Sequence, residues 1–255
     1  MKSVRNVLGI LHKAMADAVE DGIIAVNPVP RMSRRAIAAQ GLRSTADPLT
    51  PAELKSVVDA TTPWARDLLD FWFRVGWRPS EVFALRFDWI DWERQIIEVR
   101  QGRIYLHRTA VVEALPKTGQ REVSIAYDQE IIEILRRRLR ASLKTGKRDY
   151  VFTTPEGNPL LHNRVYKYVW RPALRRAGLR PRGLYTIRDT FISLALSAGE
   201  DPGWVAQVAG TSEQMIFRHY RRFMHGAVRH DGSLIAKLLQ KKQDPGGRVP
   251  KRVPK

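Results

Sequence analysis

Cysteine is absent from the 255 residues. That removes disulfides, thiolate nucleophiles and cysteine-ligated zinc together. Also missing is any run of about 18 or more apolar residues, the length that crosses a bilayer. The N-terminal residues show no secretory apolar core followed by a small-residue cleavage site. There is no internal repeat and no long low-complexity segment. Acidic residues are few: 26 Asp and Glu stand against 44 Lys and Arg, a net charge of +18. So much positive charge calls for a polyanion, with nucleic acid the first candidate and ribosomal or membrane-surface roles the alternatives. What is present is enough apolar material, 44 % of residues with seven tryptophans, for a folded domain of enzyme size plus something smaller.

Taken in order, Val4, Val7, Leu8, Leu11, Met15, Ala18 and Val19 recur at helical spacing and predict one amphipathic helix over residues 4–24. Gly22 and Asn27-Pro28 end it. Residues 28–47 read as a linker made basic by Arg31, Arg34, Arg35 and Arg43. It is either a solvated connector or a strap lying along a DNA backbone. Thr50-Pro51-Ala52-Glu53 is a capping box opening a helix to about Ala60. A second helix runs from Pro63 to Val75. Gly76 stops it, and Pro79 or Ser80 opens the next, which leaves Arg78 in the turn between them. Strands are expected at Ile96–Val99, Ala110–Ala114 and Glu122–Ile125. The last two read as a hairpin with Gly119 near its tip and Lys117 on its turn.

Asp128 caps a helix to about residue 144. Ile131, Leu135, Leu139 and Leu143 mark one face, and Arg136, Arg137, Arg138 and Arg140 mark the other. Tyr150-Val151-Phe152 reads as a short strand, followed by a turn at 155–159. The helix from Asn163 to Ala177 turns Tyr166, Val169, Trp170 and Leu174 inward. Its basic residues, Arg164, Lys167, Arg171, Arg175 and Arg176, are candidates to face nucleic acid.

The stretch Tyr185–Tyr220 carries the densest signals. Arg188 lies just inside a helix start, with Ile187, Phe191, Leu194, Ala195 and Ala198 on one apolar face. Asp201-Pro202 is an N-cap with a first-turn proline, and Gly199 and Gly210 sit where helices stop. Thr211-Ser212-Glu213-Gln214 reads as a capping box for a helix ending at Tyr220, among Arg218, His219, Arg221 and Arg222. A tyrosine presented this way in a basic protein suggests a nucleophile aimed at a phosphodiester. After Asp231, Leu234–Leu239 reads as a short apolar helix. From Lys241 the tail is basic and expected to be disordered.

Four stretches together resemble the tyrosine recombinases, the phage-integrase family. G-W-R-P-S-E-V-F-A-L-R-F-D-W-I-D is similar to the family's first arginine box, with Arg78 at the catalytic position and Glu81 as its acidic partner. P-K-T-G-Q-R-E-V resembles the β-hairpin that carries the catalytic lysine, here Lys117. L-Y-T-I-R-D-T-F is similar to the second box, with Arg188. V-A-G-T-S-E-Q-M-I-F-R-H-Y matches the last box in length, with Tyr220 at the nucleophile position. Three positions depart from the pattern: Tyr185 stands where histidine is usual, Thr211 replaces the histidine after Gly210, and Asp189 replaces a common histidine.

The resemblance implies an α+β fold, a mainly helical catalytic domain with a small antiparallel sheet, over residues 48–240. It implies that residues 1–30 are a truncated remnant of the helical core-binding domain, 31–47 a basic linker and 241–255 a tail. The implied activity is site-specific DNA recombination through a 3′-phosphotyrosyl intermediate, with no metal and no ATP. Tyr220 would attack, Arg78 and Arg188 would clamp the phosphate, and Lys117 would protonate the leaving oxygen. Tyr185 and Thr211 would offer hydrogen bonds in place of imidazoles, although Thr211 is equally a candidate helix cap. The implied partner is double-stranded DNA, bound by a tetramer assembled from free monomers, with Leu234–Leu239 docking onto a neighbour and no membrane involved. The implied setting is the bacterial cytoplasm, at the nucleoid. The competing readings are an impaired or truncated integrase remnant that binds DNA without cleaving it, and a structural nucleic-acid binder.

Overall fold

A computed structural model describes residues 2–29, 46–106, 110–114, 119–146, 149–224 and 233–240. The chain forms two compact units, Met1–Arg43 and Ser44–Lys255. In the first, helix α1 spans Lys2–Glu20. Asn27 ties the chain after it back to the helix. Its Nδ2 donates to the His12 carbonyl at 2.9 Å, and its Oδ1 accepts from Val29 N at 2.9 Å.

The second unit begins with α2 (Pro51–Asp59), which opens on the expected capping box. Thr50 Oγ1 accepts from Glu53 N at 3.2 Å, and Glu53 Oε2 accepts from Thr50 N at 2.8 Å. Helix α3 (Pro63–Val75) is the centre of the core. Leu68, Leu69, Phe71, Trp72, Phe73 and Val75 are all buried, because the helix is covered on more than one side. It ends at Gly76, whose φ of 60° is left-handed and whose missing Cβ leaves room for the Phe191 ring. Helix α4 (Pro79–Ala84) follows at once.

The strands are β1 (Ile90–Asp91), β2 (Ile96–Val99), β3 (Gly102–Leu106), β4 (Ala110–Ala114) and β5 (Arg121–Ser124). They form two antiparallel sheets, β1-β2-β5 and β3-β4. The expected β4–β5 hairpin is therefore wrong. Strand β4 pairs instead with β3, a strand missing from the sequence reading, in the register Gly102↔Ala114 to Leu106↔Ala110. Strand β5 crosses to β2, with Ile97 opposite Val123. Ile97, Val99, Val123 and Ile125 are buried, so the pairing that wins is the one that puts these apolar side chains against the core. The Tyr150–Phe152 strand is also corrected. Tyr150 makes one isolated bridge, to Arg86, and the segment is otherwise a bend.

Asp128 caps α5 (Gln129–Thr145) by accepting from Glu130 N at 3.0 Å. The inner face of α5 ends earlier than expected: Ile131 and Leu135 are buried, but Leu143 is exposed. Its arginines are mostly engaged, Arg137 with Asp67 and Glu130, and Arg138 with the Val151 carbonyl. Helix α6 runs through three consecutive segments, His162–Val165, a π-helical turn Tyr166–Trp170, and Arg171–Arg176. The π turn falls just before Pro172, whose ring would clash with an α-helical i−4 carbonyl. Helices α7 (Tyr185–Ala198), α8 (Pro202–Ala209) and α9 (Glu213–Tyr220) follow. Asp201 caps α8 through Trp204 N at 2.9 Å, as its sequence predicts. Ser212, and not Thr211, caps α9, accepting from Met215 N at 3.3 Å. Helix α10 (Ser233–Gln240) leaves Ile235 and Leu239 exposed. The architecture is the expected mainly helical one, with its antiparallel strands divided between two small sheets. Among the described residues no helix is long and apolar enough to cross a membrane.

Candidate active site

Arg78 stands at the N-cap of α4, on an extended backbone that Pro79 enforces from the first helical position. Glu81, one turn on, reaches back to it. Its Oε2 accepts from Arg78 N and its Oε1 from Arg78 Nη1, each at 3.1 Å. Glu81 is only 1 % exposed, so its charge must be met inside the protein. A second arginine completes that: Arg121, from β5, donates Nη2 to Glu81 Oε2 at 3.0 Å and Nη1 to Oε1 at 3.3 Å. Its guanidinium also lies 5.6 Å from the centre of the Trp77 ring. Arg121 escaped the sequence reading. Its role depends on a carboxylate forty positions away, although it lies in the same P-K-T-G-Q-R-E-V stretch of sequence as Lys117.

The Gly210 carbonyl joins the two expected arginines. Arg78 Nη1 donates to it at 2.6 Å and Arg188 Nη2 at 3.3 Å. Arg188 Nη1 also donates to the Gly76 carbonyl at 3.0 Å and to the Ala209 carbonyl. Gly210 ends α8 with φ 69°, and a Cβ there would lie 2.4 Å from the Arg121 guanidinium carbon. Arg188 is buried at 6 % exposure. That burial, with Arg78 alongside, pushes its pKa down to about 10, still charged at neutral pH. Three guanidiniums thus gather around one carboxylate. A guanidinium has five N–H donors. Arg78 spends two on Glu81 and Gly210, and Arg188 spends three on carbonyls, which leaves donors on both without partners among the described residues. Positive charge with spare planar donors suits a phosphate.

Tyr220 closes α9, which starts just after Gly210. Its phenol donates to Asp189 Oδ1 at 2.6 Å. Burial, then the Asp189 charge, raises the phenol well above its ordinary value, with Arg188 working the other way. Burial also raises the Asp189 carboxyl. The Tyr220 hydrogen bond, one from the Asp47 backbone and the Arg188 charge offset it in part. Asp189 is one step beyond Arg188 on α7, so the helix turns these neighbours about 100° apart, one toward the arginine cluster and one toward the tyrosine. Tyr185, at the start of α7, is 54 % exposed and near enough to act electrostatically on Arg188 and Tyr220. Thr211 is half-buried, and its hydroxyl has no partner among the described residues, so the capping role considered for it falls to Ser212.

The segment before α2 lies along this side of the unit. Asp47 receives Arg180 and Arg182, Leu49 N donates to Thr190 Oγ1 at 2.9 Å, and Arg222 Nη2 donates to the Ala46 carbonyl at 2.5 Å. Arg164, Lys167 and Arg171 are exposed along α6. Arg164 also lines a cavity of roughly 730 Å³ with Trp64, Arg103, Glu156 and Tyr168, which shares no residue with the arginine cluster. Lys117, Arg31, Arg34 and Arg35 lie outside the described residues. Among those described, no group of three or more His, Asp or Glu side chains is placed to hold a metal ion.

The sequence pattern of the phage integrase family matches residues 47–225, the stretch that holds every element of this site. Prophage integrase IntR of Escherichia coli (strain K12) is 24 % identical over 242 residues, covering 86 % of this chain and 57 % of its own. The chain spans between 44 % and 60 % of the length of the curated relatives it matches. In fold it is similar to the Tn1549 transposon integrase solved with a circular intermediate DNA. The TM-score is 0.68 at 18 % identity, over 94 % of this chain and 79 % of that one. It is also similar to a lambda integrase dimer bound to a core site, with a TM-score of 0.55 at 18 % identity over 84 % and 74 % of the two chains. The chain belongs to the phage integrase family.

Proposed function

We propose that this chain carries the catalytic part of a site-specific DNA recombinase, which cuts and rejoins strands through a 3′-phosphotyrosyl link. The observation that carries this reading is the meeting of Arg78 and Arg188 on the Gly210 carbonyl, just before the helix that ends in Tyr220. The Tyr220 oxygen attacks the scissile phosphorus and the 5′-hydroxyl leaves. Attack by another strand's 5′-hydroxyl reverses the step, so the bond energy is kept and no nucleotide is consumed. Arg78 and Arg188 hold the non-bridging oxygens and stabilise the charge that builds on them. Glu81 and Arg121 keep Arg78 in position. Lys117 supplies the proton for the leaving oxygen, and the Tyr185 and Thr211 hydroxyls donate to the phosphate.

Double-stranded DNA is the proposed partner. The related integrases solved with circular intermediate DNA and with a core site support it, as does the net charge of +18. Arg164, Lys167 and Arg171, with Arg31, Arg34 and Arg35 of the linker, neutralise backbone phosphates. Residues 1–30 belong to a helical core-binding domain, 31–47 to a basic linker, 48–240 to the catalytic domain and 241–255 to a basic tail. The working assembly is a tetramer on two duplexes, formed from monomers that α10 links to one another, at the nucleoid in the cytoplasm.

The test is covalent capture. The protein and its Tyr220→Phe variant are incubated with a pool of nicked duplexes whose cores are randomised, and adducts are separated on a denaturing gel. An adduct formed by the native protein and lost in the variant is the expected result. No adduct, with salt-sensitive duplex binding intact, identifies a protein that binds DNA without cleaving it.

A further inference from the structure

Tyrosine does not give up its proton readily at neutral pH, and the two histidines that the family pattern supplies near the phosphate are absent here, replaced by Tyr185 and Thr211. Neither a phenol nor a threonine hydroxyl is a useful base at that pH. Among the described residues one carboxylate is in place to take the proton. We propose that Asp189 is the general base for Tyr220. The inference rests on the cleavage reading above.

The geometry is direct. Tyr220 Oη donates to Asp189 Oδ1 at 2.6 Å, within the range for an O–H to carboxylate bond. Asp189 is fixed on α7 beside Arg188, so one helix turn carries both the clamp for the phosphate and the acceptor for the nucleophile's proton. Three charged or titratable groups face Asp189: Tyr220 from α9, Arg188 on its own helix, and Asp47 from the segment before α2. Asp189, Arg188 and Tyr185 face Tyr220. A carboxyl raised by partial burial is a stronger base than a solvated one. In the cleavage step the Oη–H bond breaks and its proton passes to Asp189 Oδ1. The Oη–P bond forms as the P–O5′ bond breaks, and the 5′ oxygen takes a proton from a lysine ammonium or from water. In the rejoining step each transfer runs backwards, with Asp189 returning the proton to the departing phenolate. Nothing is oxidised or reduced.

The experiment uses a duplex that the native protein has selected by covalent capture from the randomised pool. It is made in two forms, one natural and one with sulfur in place of the scissile 5′ oxygen. The thiolate leaves without needing a proton, so the sulfur substrate isolates activation of the nucleophile from protonation of the leaving group. Single-turnover cleavage is followed from acid to alkaline pH for the native protein, Asp189→Asn and Asp189→Ala, alongside duplex affinity. The expected result is a fall of about 10²–10⁴-fold in cleavage by Asp189→Asn with both substrates and unchanged affinity. The native acid limb, which marks protonation of the carboxylate, disappears, and the deficit narrows as pH rises toward ionisation of the phenol. Added formate restores part of the rate to Asp189→Ala. A purely structural contact predicts neither formate rescue nor loss of the acid limb. Cleavage by Asp189→Asn at the native rate or faster, or a deficit confined to the natural substrate, overturns the assignment and leaves the recombinase reading standing. Failure of the native protein to capture any duplex removes the cleavage reading and this assignment with it.

Discussion

Arg188 donates to three backbone carbonyls at two helix ends, whereas Tyr220 is held at the tip of α9 through one hydrogen bond to Asp189. In the first half of the site Glu81 and Arg188 are buried, Arg78 and Arg121 are half-buried, and each member is tied to at least one other or to a shared carbonyl. The second half, Tyr185, Asp189 and Tyr220, is more open and tied by far less. In the proposed chemistry the first half has to be ready before the phosphate arrives, because stabilising charge is effective when it needs no rearrangement. The second half has to move: the phenol must leave a carboxylate for a phosphorus atom and later return. Rigidity and looseness are divided between the two halves according to those needs.

The division can be attacked from either side. The largest effect is expected from Glu81→Gln. It removes the buried carboxylate between Arg78 and Arg121 and leaves three guanidiniums unbalanced. The unfolding free energy should fall by about 3–5 kcal/mol in urea denaturation. A loss below about 1 kcal/mol means the first half is less interdependent than its contacts imply. Next comes Arg188→Ala, expected to slow single-turnover cleavage by about 10²–10³-fold while duplex affinity changes little. Gly210→Ala should follow. The left-handed backbone and the Arg121 guanidinium both resist a methyl group there, so a loss of about 1–3 kcal/mol is expected, measured by the same denaturation. The smallest effect belongs to the loose half. Tyr185→Phe removes an exposed hydroxyl and should leave stability within about 0.5 kcal/mol of native, so any fall in its cleavage rate reports a contact with DNA.

Much of the site could be read from the chain, and what could be read was local. The caps at Thr50, Asp128 and Asp201, the helix stops at Gly76 and Gly210, and the placing of Arg78, Arg188 and Tyr220 at helix ends all follow from a few neighbouring residues. The failures were of two kinds. Strand partners depend on which apolar faces meet the core, so the sequence joins Ala110–Ala114 to the strand that follows it, when its partner is Gly102–Leu106, the strand before it. Partnerships across the fold were out of reach: nothing near Arg121 names Glu81, and nothing near Tyr220 names Asp189. The mistake at Thr211 was smaller in distance but similar in cause. Two hydroxyl residues stand side by side, and only backbone geometry decides that Ser212 takes the cap.

The carbonyls that receive Arg188 belong to main chain at Gly76, Ala209 and Gly210. Main-chain oxygens are the same whatever side chain a position bears, and at the C-terminal ends of α3 and α8 they also carry partial negative charge. The clamp is thus largely indifferent to sequence drift in the residues around it. Substitutions can accumulate over most of the surrounding surface without altering what Arg188 holds. The vulnerable points are few: the two glycines, whose backbone angles other residues resist, and the buried Glu81. Changes at Tyr185, Asp189 or Thr211 remove none of the main-chain oxygens that Arg188 holds.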